Sequence, residues 1–96
     1  MSGKIVALDE EKLKKSLLTI YQIQLSNCLP EEIMPRAMEK MGLDEEGAIA
    51  LLENFIRLGW ISTGNIAVKF FLRPGYVSYF PVFVSSAGKE RIEGFI

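Results

Sequence analysis

Of the residue types that usually carry chemistry, histidine is missing from this chain and cysteine occurs once, as Cys28. That combination leaves no zinc site of the Cys/His kind, no disulfide framework, and no Ser-His-Asp or Cys-His nucleophile. Carboxylates come in three adjacent pairs, Glu10–Glu11, Glu31–Glu32 and Glu45–Glu46. Sequence neighbours diverge in space, so these pairs suit helix starts, where the dipole favours negative charge, better than an acid and base flanking a substrate. No glycine-rich loop is laid out to cradle phosphate; Gly59, Gly64 and Gly75 fall where turns are needed. Cys28 reads as a small buried hydrophobe. The expectation is a protein that is not an enzyme, with no cofactor, no metal and no small-molecule substrate.

The elements that position the remaining polar groups have to come from one domain, because 96 residues leave no room for a second. Hydrophobic residues at 49% and charged residues at 24% are those of a folded chain rather than a disordered tail. A net charge of −1 excludes a globally basic nucleic-acid coat. No terminal segment has the charged-then-apolar layout of a secretory signal, and the uncharged run Ser16–Pro30 is too short and too polar to span a membrane. A soluble cytoplasmic domain is expected.

Three helices come first, at about 9–26, 30–41 and 44–58. Asp9 is a fair N-cap, and Leu13, Leu17, Ile20, Tyr21 and Leu25 recur at spacings of three and four. Pro30 suits the first position of the second helix, while Pro35 predicts a late start or a kink. Gly42 stops that helix. Asp44 caps the third, which carries Ile49, Leu52, Phe55, Ile56 and Leu58 and ends at Gly59. The pattern then changes. Ile66, Val68, Phe70 and Leu72 alternate with Ala67, Lys69, Phe71 and Arg73, the period of a strand. Arg73-Pro74-Gly75-Tyr76 has the composition of a type II turn, and Val77–Val84 reads as the returning strand, with Pro81 at an edge or bulge. A hairpin at about 65–84 and a tail at 85–96 complete the reading.

Helix, helix, helix, hairpin is the order of a winged helix-turn-helix domain. Met41-Gly42-Leu43-Asp44-Glu45-Glu46, then Ala48-Ile49-Ala50-Leu51-Leu52, then Leu58-Gly59-Trp60-Ile61 resemble that family, of the archaeal or prokaryotic type, in its second helix, tight turn, third helix and exit into the wing. The resemblance covers roughly residues 9 to 84. It implies an α+β fold, three helices with a C-terminal β-hairpin wing, and a third helix placed to read DNA.

The residues of that helix argue against DNA reading. Asp44, Glu45, Glu46 and Glu53 stand against Arg57 alone, a balance of −3, and the end that would enter the groove is the acidic one. Asn54 and Arg57 are the two base or phosphate contacts it offers. Lys69 and Arg73, four apart on the first wing strand, offer a weak phosphate contact or simply a solvated face.

Aromatic residues supply the stronger signal. Phe70, Phe71, Tyr76, Tyr79, Phe80 and Phe83 concentrate within fourteen positions, and adjacent rings on strands must face opposite ways. Some ring surface is therefore left outside, with Phe71 and Phe80 assigned the outward face and the reverse register as the alternative. A protein interface ranks first for these rings, core packing second, and stacking on single-stranded bases third. At the end of the chain Lys89, Ile92, Phe95 and Ile96 are similar to the box by which replication and repair proteins dock on sliding clamps. Lys89 replaces the usual glutamine there, and Ile96 the second aromatic. The alternative is a last strand or helical turn packing Ile92 and Phe95 on the domain. Together these features predict a non-enzymatic winged-helix protein-interaction module, a small accessory subunit of a DNA-handling complex (replication, repair or transcription) or a homodimer. The alternative is a DNA-binding transcriptional regulator.

Overall fold

Helix starts and stops are set by local chemistry in the first two thirds of the chain. The computed structural model describes residues 10–26, 29–64 and 67–93. Helix α1 spans Glu10–Leu25, α2 Pro30–Met41 and α3 Glu45–Leu58, each within a residue of the expected bounds. Asp9 and Cys28 lie outside the described residues. At the start of α3 the Asp44 carboxylate accepts a hydrogen bond from the Gly47 N–H at 2.8 Å, satisfying a donor that the helix leaves unpaired. At its end Gly59 takes φ +75°, a left-handed conformation that side chains resist. This lets the Trp60 N–H reach back to the Phe55 carbonyl at 2.9 Å.

The helical stripes largely hold. Leu13, Leu17, Ile20 and Ile23 form the buried stripe of α1. Leu25, expected on that stripe, is 63% exposed. Two residues turn a helix by about 200°, so Ile23 facing inward puts Leu25 outside. Pro35 neither delays nor ends α2, which runs unbroken from Pro30. Both Pro35 and Glu31, whose carbonyl it leaves without a donor, are exposed, and water can serve that carbonyl.

After α3 the expected architecture is overturned. The described residues contain no strand, so the α+β winged fold with a β-hairpin at 65–84 is incorrect and the chain is mostly helical. Val68–Phe71 forms a single helical turn, α4, and Val77–Tyr79 a 3₁₀ turn. Val68, Phe71 and Leu72 pack partly buried against the core, whereas Lys69, Phe70 and Arg73 are exposed. Those inward positions are spaced i, i+3, i+4, so helical periodicity describes this segment and the apparent alternation does not. The Arg73–Tyr76 turn does form, its Tyr76 N–H donating to the Arg73 carbonyl at 3.0 Å, but it joins helical turns.

The returning segment pairs elsewhere. Ser62 N–H donates to the Phe83 carbonyl at 2.7 Å and Ser85 N–H to the Trp60 carbonyl at 2.9 Å. The pair flanks one antiparallel bridge between Ile61 and Val84. This short clasp ties the exit of α3 to the chain entering α5, Ser86–Glu93. Trp60, Ile61, Val82 and Val84 are buried around it. Val82 N–H also donates to the Pro30 carbonyl at 3.2 Å, and Val84 N–H to Gln24 Oε1 at 3.1 Å. Helix α5 packs on α1, and Leu17, Ile20, Ile33, Leu52, Phe55, Phe80 and Ile92 form the fully buried centre. No helix among the described residues is long and apolar enough to cross a membrane.

Candidate functional site

The aromatic segment divides between core and surface. Phe80, assigned outward from the sequence, is fully buried, and Phe71 is only partly exposed. The reason is the loss of the hairpin: with no strand pleat, Phe80 follows the 3₁₀ turn inward beside the buried Val77. Phe70 (47% exposed), Tyr76, Tyr79 (61%) and Phe83 remain outside.

Arg73 is the centre of the exposed group. Its guanidinium lies 5.0 Å from the Phe70 ring centroid and 4.6 Å from that of Tyr76, within the range of cation–π attraction. Its Nε donates to the Phe70 carbonyl at 3.0 Å, and the Gly75 N–H donates to Glu45 Oε2 at 2.8 Å, fastening the turn to the start of α3. Rings then connect this surface to the interior. Tyr76 and Phe70 are 4.9 Å apart, Phe70 meets Phe71 edge-on at 5.1 Å, and Phe71 meets Phe80 edge-on at 6.1 Å. Edge-to-face contact fixes ring orientation, so the exposed rings rest on a buried one.

Phe83 takes no part in the ring contacts found among the described residues. The hydrogen bonds of its neighbours Val82 and Val84 reach Pro30 and Gln24, beside the exposed Leu29 and Leu25. Sequence reasoning missed both leucines. The three-and-four spacing puts Leu25 on a buried stripe, and Leu29, next to a proline at a helix start, carries no local signal of exposure.

The nucleic-acid candidates do not converge. Asn54 is buried, its Nδ2 donating to the Ala50 carbonyl at 2.8 Å and its Oδ1 accepting from Arg57 Nη2 at 2.6 Å. Both polar ends of Asn54 are thus engaged within α3. Lys69 is exposed on α4 and Arg73 lies against the Phe70 and Tyr76 rings, so they are not a strand-face pair.

No family model, curated protein or solved structure matches the chain.

Among the clamp-box residues, Ile92 is fully buried and Lys89 exposed, its Nζ 6.0 Å from the Tyr21 ring centroid. Phe95 and Ile96 lie outside the described residues. The described residues hold no group of three or more Cys, Asp or Glu arranged to bind a metal ion.

Proposed function

We propose that the chain is a non-enzymatic protein-interaction module, either an accessory subunit or a self-associating one, whose contact surface is Phe70, Arg73, Tyr76 and Tyr79. The observation that carries this reading is the ring ladder from Tyr76 to Phe80. Arginine and tyrosine are the residue types that dominate binding energy at protein interfaces. Here Arg73 and Tyr76 stand packed against Phe70, so little of their side-chain freedom remains to be lost when a partner arrives. The regulator alternative draws no support from α3, whose acidic start and internally bonded Asn54 leave little to approach a phosphate backbone.

Sedimentation over a concentration series tests the self-associating form. Affinity capture with the wild type and a Phe70→Ser/Tyr76→Ser variant as baits tests the accessory form. The variant should lose the association while its thermal transition stays close to that of the wild type. Association that survives the double substitution would place the contact elsewhere.

A further inference from the structure

A second surface lies away from the rings. Helix α1 packs against α2 and α5, and α3 against the Val77–Tyr79 turn, which leaves α1 and α3 facing each other across an open cleft of about 790 Å³. Its floor is apolar, with the partly buried Leu43 and Ile49 beside Ala50. Its two walls carry opposite charge. Lys12 and Lys15, three apart on α1, line one side, and Glu46 and Glu53, seven apart on α3, line the other. Neither Glu46 nor Glu53 enters the ion pairs found among the described residues.

We infer that this cleft receives an amphipathic helix from another protein, with an apolar stripe flanked by acidic residues on one side and basic residues on the other. Both walls are helices, so the cleft has no sheet edge for an extended peptide to pair with; an apolar stripe laid between the walls is the mode that fits. Glu46 to Glu53 covers about 10 Å of α3, the length of two turns of a docked helix. The opposed walls select a helix whose two flanks differ in sign. The helices of a second copy of this chain do not supply such a stripe. Its own α1–α3 face is concave, and the exposed faces of α2 (Glu31, Glu32, Arg36, Glu39, Lys40) and α5 (Lys89, Glu90, Arg91, Glu93) are charged and have no apolar stripe to insert.

Three synthetic helical peptides sharing one leucine stripe test this by fluorescence anisotropy with the full chain. One carries Glu on one flank and Lys on the other, one Glu on both, one Lys on both. A mixed-flank helix can dock in either direction and choose the favourable one, so it should bind about tenfold more tightly than either uniform peptide. In Glu46→Lys/Glu53→Lys both walls become basic, and the peptide with Glu on both flanks should become the tightest. Lys12→Glu/Lys15→Glu makes both walls acidic and should favour the peptide with Lys on both, which keeps the test alive if the first variant does not fold. Equal binding of the three peptides, or none, overturns the inference. Binding that requires removal of residues 1–8 would make the chain's own N-terminal segment the occupant. Self-association that survives Phe70→Ser/Tyr76→Ser and that the mixed peptide competes away would make it a second copy. Either result overturns the assignment to another protein.

Discussion

A Cβ placed on Gly88 would overlap the carbonyl oxygen of Trp60. Helix α5 therefore lies against the backbone that leaves α3 at a distance only glycine allows, and the same Trp60 carbonyl accepts the Ser85 N–H. The last helix is thus docked by backbone on backbone as well as by the burial of Ile92.

Gly88→Ala should consequently destabilise the chain, although alanine is ordinarily the better helix former. A carbonyl fixed in the clasp cannot rotate aside as a side chain would, and overpacking of this kind costs about 1–3 kcal/mol. For a chain of this size each kcal/mol lowers the melting temperature by roughly 4–8 °C. The exposed Ser86→Ala is the control and should melt with the wild type. If Gly88→Ala melts there too, the close approach of α5 to Trp60 is wrong.

Ser85 fastens the same junction through its side chain. Its Oγ donates to the Gly59 carbonyl at 2.6 Å and accepts the Gly88 N–H at 3.0 Å, serving at once as the cap of α5 and a tie to the end of α3. Ser85→Ala removes both bonds and should cost about 1–2 kcal/mol. Hydrogen exchange would show the Gly88 amide exchanging faster in Ser85→Ala than in the wild type, with amides within α1 unchanged. Unchanged protection at Gly88 would refute the cap.

Where the sequence revealed the fold and where it did not has a physical basis. Asp44 bonds the Gly47 N–H three residues on, and Gly59 lets the Trp60 N–H reach Phe55 five residues back, so each end of α3 can be read locally. Residues 66–72 cannot be resolved that way. Apolar residues there satisfy alternation and i, i+3, i+4 spacing equally well, because Phe70 and Phe71 are adjacent and no polar face breaks the tie. The decision came from distant pairing. The chain at Phe83–Ser85 bonds to Trp60–Ser62, at the exit of α3, and no local pattern marks that choice.

The same ambiguity hid which rings are core, and stability measurements separate them. Phe80→Ala removes a fully buried ring and should cost about 3–5 kcal/mol. Phe70→Ala removes an exposed ring that supports Tyr76 and Arg73, and should cost less than about 1.5 kcal/mol. Urea unfolding of the two variants gives the comparison directly. Equal losses would mean the ladder is not divided between surface and interior. Ring type in this segment was legible from composition, whereas ring side depended on the turn geometry that the alternation concealed.

DNA binding by this chain should be no tighter than ordinary non-specific contact, on the order of 10⁻⁴ to 10⁻⁶ M at physiological salt. The acids at the start of α3 and the engagement of Asn54 within its own helix both oppose groove entry. Anisotropy with labelled duplexes at several salt concentrations is the measurement. Nanomolar affinity with a preference among sequences would contradict it and return the chain to the regulators.

The clamp box at the end of the chain makes the sharpest demand, because a docking plug must leave its own domain to enter another. Ile92 would be the aliphatic part of that plug, and it is fully buried where α5 meets α1. Releasing it exposes a core isoleucine and gives up the clasp contacts of Gly88 and Ser85. Ile92→Ala should therefore cost about 2–5 kcal/mol, whereas Lys89→Ala, at an exposed position, should change little. The intact chain should show no measurable affinity for an immobilised sliding clamp. Should Ile92→Ala instead melt with the wild type while abolishing a clamp interaction that the intact chain makes, α5 would be a detachable plug, and its packing on α1 would not be what holds the end of the chain.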